Sequence, residues 1–231
     1  MSKSSAGRLM PNVPVPKVTG RRAPYSGSTK RALVDVAEQL FTEQGYAATS
    51  LDQIVAGARV TKGALYHHFS GKQALFEAVF QRVEGAAGTT IEKALKGQRD
   101  PWLKAQAGLQ VFLEVVQQPA YRRLVIQDGP SVLGYERFRE HEERSTFASV
   151  TEIVRAVLNA GTWELGEEML NTFTRIFFGA MSSAGESVAT SDDPAAAALR
   201  VEAATGFILA GLQSLVDAGV EPPDPADAET A

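Results

Sequence analysis

Residues 61–68 concentrate hydrogen-bond donors next to small side chains, a combination suited to binding phosphate groups. The donors are two hydroxyls, an ammonium group and an imidazole, on Thr61, Tyr66, Lys62 and His67. Side chains of these types, with the free backbone N–H groups at helix N-termini, are common ligands of phosphate oxygens. Gly63 and Ala64 would let this backbone come close to a groove wall or to base edges. The segment therefore indicates a polyanionic partner.

Two short helices joined by a tight turn are predicted to position this segment. The first spans residues 51–58, and Ser50 followed by Gln53 matches a capping box at its start. Thr61 is a suitable N-cap for the second helix, residues 62–68. Its inward-facing apolar anchors are Leu65 and Phe69. Two short helices joined by a turn of about three or four residues form a helix-turn-helix.

Longer helices are predicted on either side of this pair. Before it, apolar residues recur at helical spacing over residues 33–41, and Gly45 is expected to end that helix. After it, Ser70 with Gln73 repeats the capping-box pattern and opens a longer helix with an apolar stripe. Residues 28–74 are therefore the predicted helix-turn-helix domain.

The rest of the pattern is helical and lacks the alternation typical of strands. Asp100-Pro101 and Asp193-Pro194 are typical helix starts, because aspartate caps the helix and the first turn does not use the N–H that proline lacks. A turn is predicted at residues 128–130, and long helices over residues 132–159 and 163–189. The predicted class is all-α with about nine helices, in an N-terminal three-helix helix-turn-helix domain and a C-terminal helical domain.

Charge is distributed unevenly along the 231 residues, whose net charge is −4. Residues 1–72 carry ten lysines and arginines against four acidic residues, a net charge of +6, and the remainder carries −10. A basic end on an acidic body predicts that one end meets a polyanion. Residues 1–27 and 221–231 are predicted to be disordered tails. The basic N-terminal tail is either a further contact to the polyanion or a plain leader.

Composition argues against several classes of protein. The chain has no cysteine, and therefore no disulfide, thiolate metal site or cysteine nucleophile. It shows no signal peptide, and its longest nearly uncharged apolar stretch, residues 203–212, is too short to span a bilayer. The sequence contains no phosphate-binding loop, nucleophile elbow or dinucleotide motif. The adjacent His67 and His68 would point about 100° apart on a helix, which argues against a metal ion bound by both. We expect a cytoplasmic protein without catalytic residues, metal or cofactor.

Over residues 33–75, anchor, turn and contact positions recur in an order typical of one family. They are Ala37, Phe41, Gly45-Tyr46, Thr49, Ile54, Ala58, residues 61–69 and Lys72. This run resembles the DNA-binding domain of the tetracycline-repressor (TetR) family. The resemblance implies a homodimer that binds double-stranded operator DNA and a small-molecule effector.

The resemblance also implies roles for individual residues. The side chains expected to contact phosphates are Thr61, Lys62, Tyr66, His67 and Lys72. Those expected nearest the bases are Lys62, Gly63 and Ala64. Thr49 and Ser50 would contact the DNA backbone at the start of the preceding helix. Arg59 departs from the family, which usually has glycine there, and it is either an extra phosphate contact or a solvated side chain in a slightly different turn.

The C-terminal part, residues 75–220, is the predicted ligand-binding and dimerisation domain. Pockets for small molecules are lined by apolar rings with a few polar groups, although core packing is the alternative for each ring. The predicted pocket residues are Trp102, Phe112, Gln127, Tyr135, Phe138 and Phe177. By the resemblance, the last two helices of each protomer form a four-helix dimer interface. The predicted interface residues are Gly179, Ser183, Ala203, Gly206, Phe207, Ala210 and Ser214.

These features together predict a ligand-responsive regulator of transcription, a repressor that a small molecule releases from a palindromic operator. One alternative is an activator of the same fold, which would use the same contacts. Another is a small-molecule-binding protein or enzyme with a vestigial helix-turn-helix. The basic N-terminal part and the intact Lys62, Tyr66 and Lys72 argue against this second alternative.

Overall fold

Helices follow one another along the described chain. The computed structural model describes residues 23–145, 147–161, 163 and 165–220, and within these residues it has ten α-helices, one π-helix and no strand. The α-helices are α1 (Ala23–Ala48), α2 (Leu51–Gly57), α3 (Lys62–His68), α4 (Lys72–Leu95), α5 (Pro101–Gln117), α6 (Gly129–Leu133), α7 (Tyr135–Ser145), α8 (Phe147–Leu158), α9 (Glu167–Thr190) and α10 (Pro194–Asp217). The π-helix, Tyr121–Asp128, lies between α5 and α6. The predicted all-α class is confirmed.

Helix α1 begins earlier than predicted and is interrupted at Gly45, the predicted end. It begins at Ala23, so residues 23–27 are helical rather than part of a disordered tail. Proline is compatible with a first helical turn, because the N–H that it lacks has no partner there. Gly45, with φ 80° and ψ 166°, is not helical, so the first helical segment ends there as predicted, and a short segment continues beyond this kink to Ala48. The predicted tails at residues 1–22 and 221–231 lie outside the described residues.

Most of the predicted helix caps are present. Ser50 and Gln53 form both hydrogen bonds of the capping box, and the Thr61 hydroxyl accepts from the N–H of Ala64. The side chains of Asp100 and Asp193 cap α5 and α10. These caps depend on residues two or three positions apart, which is why the local sequence predicts them.

The second capping box, predicted at Ser70 and Gln73, does not form. The N-cap of α4 is Gly71, and no side chain caps it. Gln73 Nε2 instead donates to the carbonyl of Val132 at 2.6 Å, a partner on α6. A tertiary contact therefore displaces the local one and ties the start of α4 to the C-terminal part.

The middle of the chain departs most from prediction. No turn forms at residues 128–130, because Gly129 is helical (φ −51°) and Pro130 lies in the first turn of α6. The break comes at Gly134, whose φ is 80°. The predicted helix over residues 132–159 is therefore divided into the end of α6, α7 and α8.

One apolar core extends through both parts of the chain. Side chains of α1, α2, α3 and the first half of α4 pack together, and the same cluster of buried residues continues to Val188 on α9 and Ala197 on α10. Its fully buried members include Leu33, Phe41, Ile54, Leu65, Phe76 and Phe80. Helix α4 belongs to both parts and connects them mechanically.

Candidate nucleic-acid interface and ligand cavity

The turn between α2 and α3 is held by backbone hydrogen bonds. The N–H of Ala58 donates to the carbonyl of Ile54 at 2.9 Å, and that of Val60 donates to Val55 at 3.1 Å. Between them, Arg59 has a φ of 55°, in the left-handed region that favours glycine. Its side chain is exposed. The position at which the family usually has glycine is thus occupied by an arginine in a glycine-like conformation.

Helix α3 is anchored on one side and exposed on the other. Leu65 and Phe69 are buried against α1 and α2, as the sequence predicted. The exposed residues around its first turns are Thr61, Lys62, Gly63, Tyr66 and His67, with Ala64 half-buried. Tyr66 is 57% exposed although it is a large aromatic residue. This face is available to a partner.

Gly63 is not required by packing inside the protein. In the described part of the chain, a Cβ at Gly63 would meet only the hydroxyl of Thr61, at 3.8 Å. Its φ is helical, where glycine is less favourable than alanine by about 1 kcal/mol. A glycine that the fold does not need is consistent with a surface that approaches another molecule closely.

Lys62 already has an anionic neighbour. Its Nζ lies 2.7 Å from Oδ1 of Asp52 on α2, and both side chains are exposed. The hydrogen bond and the charge of Asp52 raise the pKa of Lys62. The ammonium therefore remains charged at physiological pH, and a phosphate or base would compete with Asp52 for it.

Lys72 is held against an aromatic ring. Its Nζ lies 4.2 Å from the centroid of the Tyr46 ring and 3.4 Å from the carbonyl of Ala47. Partial burial lowers the pKa of Lys72, although the charge of Asp128 opposes this effect. These contacts fix the ammonium beside the first turn of α4, where backbone N–H groups are also free.

Thr49 and Ser50 differ in their access to a partner. Thr49 is 1% exposed, and its hydroxyl donates to the carbonyl of Gly45 at 2.8 Å. Its side chain therefore stabilises the end of α1 and cannot reach DNA, which corrects the expectation of a backbone contact. Ser50 is exposed and caps α2 through its oxygen, so its hydroxyl proton remains available.

Several of the predicted contact residues border one cleft between α2, α3 and α4. The cleft has a volume of about 310 Å³. Its walls include Ser50, Asp52, Lys62, Tyr66 and Lys72. Four of these five were expected to contact DNA, and Asp52 is the addition, at a position that sequence reasoning treated only as a helix residue.

A second, larger cavity lies in the C-terminal part. It has a volume of about 500 Å³ and is enclosed by α4, α5, the π-helix and the helices that follow. Its aromatic lining residues are Phe112, Tyr121, Phe138, Phe177 and Phe178. Its polar lining residues are Glu84, Ser149, Ser182, Ser183, Glu186 and Thr205. A volume of about 300–1,000 Å³ with this mixture of groups is typical of small-molecule sites.

Half of the predicted pocket residues line this cavity. Phe112, Phe138 and Phe177 do, whereas three others lie elsewhere. Trp102 does not line the cavity but packs in a core cluster with Val157 and Leu209, which do; Gln127 is exposed, and Tyr135 is 75% exposed. These three corrections share a cause, because composition cannot tell which face of a helix meets the cavity.

Sequence reasoning missed Glu84, a buried carboxylate in the cavity wall. Glu84 is 5% exposed and lies on α4. It is spaced four and eight residues from Phe80 and Phe76, which are both fully buried. Residues at this spacing share one helix face, so the position of Glu84 on an apolar stripe was the available indication.

The wall of the cavity touches the helix-turn-helix part directly. Tyr121 and Val125 of the π-helix line the cavity. At the end of the same π-helix, Oδ2 of Asp128 accepts a hydrogen bond from the N–H of Tyr46 at 2.8 Å. This bond joins the wall to α1.

Arg123 strengthens the same junction. Its Nε donates to Asp128 at 3.3 Å, and its guanidinium lies against Gly45, where a Cβ would come within 1.8 Å of Nη2. The positive φ therefore favours glycine at position 45, and a side chain there would displace the guanidinium of Arg123.

Helices α9 and α10 leave large apolar side chains in solvent. Phe207 is 81% exposed, and Ile176, Leu199, Ile208 and Leu215 are between 45% and 67% exposed. Of the seven predicted dimer residues, six are exposed and Gly206 is half-buried. Among the described residues there is one helix, α10, that is long and apolar enough to cross a membrane, by length and composition alone. It includes residues 203–212, the apolar stretch that the sequence analysis had considered too short to span a bilayer.

Comparisons with known proteins agree with this geometry. Residues 33–79 match the family model "Bacterial regulatory proteins, tetR family", and residues 102–212 match "Tetracyclin repressor-like, C-terminal domain". The Transposon Tn10 TetC protein of Escherichia coli is 30% identical over 57% of this chain and 64% of its own length. The regulator AcrR of Shigella flexneri is 35% identical over 43% of this chain and 46% of its own. The chain thus spans less than two thirds of either relative.

A solved structure covers more of the chain. A TetR-family transcriptional regulator from Pectobacterium atrosepticum is 26% identical, with a TM-score of 0.70 over 83% of this chain and 97% of that one. Both the N-terminal helices and the C-terminal body therefore have counterparts in one known fold.

Proposed function

The chain belongs to the TetR family of bacterial regulatory proteins, and on this premise we propose that it is a cytoplasmic DNA-binding repressor of transcription. The exposed face of α3 carries the proposal. It presents Thr61, Lys62, Gly63, Tyr66 and His67 on a short helix that is anchored from behind. A major groove admits such a helix with its first residues toward the bases, while neighbouring donors hold phosphates.

A homodimer would give this interface its specificity. Two recognition helices separated by about 34–36 Å or somewhat more would enter successive major grooves of a palindromic operator. The exposed apolar faces of α9 and α10 support a four-helix interface between two copies, because a monomer seldom leaves such a patch in water. The same faces account for the apolar composition of α10 without a membrane.

A small molecule in the cavity of the C-terminal part would release the repressor. An effector changes DNA affinity only as far as it binds one conformation of the protein better than another. Two connections would carry that preference to α3. The first is helix α4, which begins at Lys72 and contributes Glu84 to the cavity wall. The second is the π-helix, whose Asp128 accepts a hydrogen bond from Tyr46 of α1.

The first experiment measures binding of the purified protein to its own upstream intergenic DNA across a salt series. Wild type should bind tightly, with an affinity that falls steeply as salt rises. Tyr66→Ala should bind at least about tenfold more weakly, corresponding to about 1.4 kcal/mol, because the variant has no aromatic donor at this exposed position of α3. Fluorescence anisotropy of a labelled duplex gives both quantities.

Tyr135→Ala is the matched control, since Tyr135 is also a largely exposed tyrosine but lies on α7. Equal affinity of the Tyr66 and Tyr135 variants would contradict the assignment of α3 as the recognition helix. Absence of any specific complex, including with genomic fragments selected by the protein, would instead favour a ligand-binding protein with a vestigial helix-turn-helix. An activator would show the same binding but raise, rather than lower, expression of a reporter.

A further inference from the structure

A single carboxylate lies in the surface assigned to DNA. Asp52 is the one acidic residue in the sequence of residues 44–76, a stretch that also contains three lysines and arginines. It lies in the first turn of α2 and is exposed. With Lys62 and Lys72 it borders the cleft between α2, α3 and α4. Every phosphate that approaches repels an anion at this place, so Asp52 opposes binding to a polyanion.

Asp52 and Lys62 form an ion pair that adds little to the stability of the fold. Oδ1 of Asp52 lies 2.7 Å from Nζ of Lys62, and the two side chains are 67% and 63% exposed. Ion pairs so exposed contribute little, because water also solvates both charges when they are apart. The helix dipole favours an acidic residue in the first turn of α2, but solvent and salt screen that effect. The clearest consequence of Asp52 is therefore the position in which it holds Lys62.

Lys62 can use its ammonium group in two ways at a DNA surface. A lysine is a mobile point charge that neutralises a phosphate of any sequence, or donates to N7 and O6 of a guanine in the major groove. Only the contact to the base depends on sequence. Moving Lys62 to a phosphate would break the ion pair and leave Asp52 unpaired beside the DNA backbone. The carboxylate therefore opposes the contact that carries no sequence information.

We propose that Asp52 is a specificity-determining residue, which keeps Lys62 from the phosphates and so weakens binding to unrelated DNA more than binding to the operator. This inference rests on the proposed function, because it names a residue that sets the selectivity of that interface. On the operator, Lys62 stays paired while its other N–H groups donate to a base, since an ammonium has three donors. On unrelated DNA the base offers no such acceptor, and the repulsion of Asp52 is not offset. Selectivity then comes from a cost imposed on the wrong partner.

Replacing the carboxylate with its amide tests this role. Fluorescence anisotropy compares wild type and Asp52→Asn on the upstream intergenic duplex and on a shuffled duplex of the same length and composition. Asp52→Asn should bind the shuffled duplex about tenfold more tightly, and the upstream duplex at most about threefold more tightly. On the shuffled duplex, the slope of log affinity against log salt should become steeper by about 0.9, because Lys62 then neutralises one more phosphate.

Further variants show whether Asp52 acts through Lys62. In a Lys62→Gln background, Asp52→Asn should change the ratio of the two affinities by less than about twofold, because the partner of the carboxylate is missing. Asp52→Glu keeps the charge and should keep most of the discrimination. Glu43→Gln is the matched control, since Glu43 is an exposed carboxylate of α1, and it should leave the ratio unchanged.

Three results would overturn the proposal. One is a ratio of affinities in Asp52→Asn that equals or exceeds the ratio of wild type. Another is an equal fall of the ratio in Glu43→Gln. The third is a fall that persists in full without Lys62, because the carboxylate would then act by general repulsion alone.

Thermal unfolding shows whether Asp52→Asn is folded, and Asp52→Ser takes its place with the same expectations if it is not. A wild-type protein that binds neither duplex, nor any selected genomic fragment, contradicts the proposed function. Discrimination by wild type that survives in Asp52→Asn contradicts the role of Asp52 alone.

Discussion

At the scale of single residues, Arg59 combines a left-handed backbone with an exposed side chain. A non-glycine residue in this conformation costs about 1 kcal/mol or somewhat more. The backbone hydrogen bonds of Ala58 and Val60, on either side of it, hold Arg59 in this conformation. The left-handed backbone at this position also explains why the family usually has glycine there.

Replacing Arg59 with glycine should stabilise the protein. Arg59→Gly is expected to raise the free energy of unfolding by about 0.5–1 kcal/mol, because relief of strain exceeds the entropy that glycine adds to the unfolded chain. Urea denaturation measures this change. Ala56→Gly, at an exposed helical position of α2, should lower the same quantity by about 1 kcal/mol. A loss of stability in Arg59→Gly would show that the arginine side chain supports the turn.

The same variant separates the two interpretations of the Arg59 side chain. We expect the salt dependence of DNA binding to be unchanged, as for a solvated arginine. If Arg59 neutralises a phosphate instead, the slope of log affinity against log salt should become shallower by about 0.9 in the glycine variant.

At the scale of elements, the π-helix Tyr121–Asp128 connects the cavity to the DNA-binding helices. A π-helix is rare and less stable than an α-helix, and it often occurs where function requires an unusual geometry. Here it lines the cavity along one side and ends in the bond from Asp128 to the N–H of Tyr46. A change in its winding on ligand binding would alter this bond first.

Removing the Asp128 carboxylate should loosen this connection. Asp128→Ala leaves the N–H of Tyr46 without its acceptor, and we expect it to lower the free energy of unfolding by about 1–3 kcal/mol. Hydrogen exchange of the Tyr46 amide should accelerate much more than exchange in the first half of α1. Asp128→Asn keeps an acceptor oxygen and should retain most of the protection. Unchanged exchange at Tyr46 in the alanine variant would show that the bond does not hold the junction.

At the scale of the whole molecule, we propose that the exposed apolar surface of α9 and α10 forms the contact between two copies of the chain. Phe207 is 81% exposed, and neighbouring apolar side chains extend the patch. Small residues on the same helices let a second copy approach closely. A symmetric contact would bury this patch and also fix the separation of the two α3 helices.

A charge in the centre of this patch should dissociate the dimer. Phe207→Asp is expected to shift the protein from dimer to monomer at micromolar concentration, because a buried carboxylate would lack a partner. Sedimentation velocity measures the mass, and operator binding should fall in parallel. Tyr135→Asp places the same charge at a similarly exposed ring on α7 and should leave the dimer intact. A dimeric Phe207→Asp would move the interface away from α10.

The sequence alone was sufficient wherever the determining contacts are local. The capping box of Ser50, the N-cap of Thr61 and the bounds of α3 follow from residues a few positions apart, and the structure confirms them. Repeated apolar spacing identified the buried face of α1 and the anchors Leu65 and Phe69 in the same way. The family pattern in this region is readable because turn, anchor and contact positions all lie within about 50 consecutive residues.

Only the tertiary structure decided what depends on distant parts of the chain. Gln73 bonds to Val132 instead of capping α4, and Thr49 turns its hydroxyl inward to Gly45. The cavity selects Phe112 but leaves Trp102 in another cluster and Tyr135 in solvent. Periodicity gives the apolar side of a helix but not the neighbour that covers it. That neighbour is chosen by packing among helices far apart in sequence, and only this packing places Glu84 in the wall of the cavity.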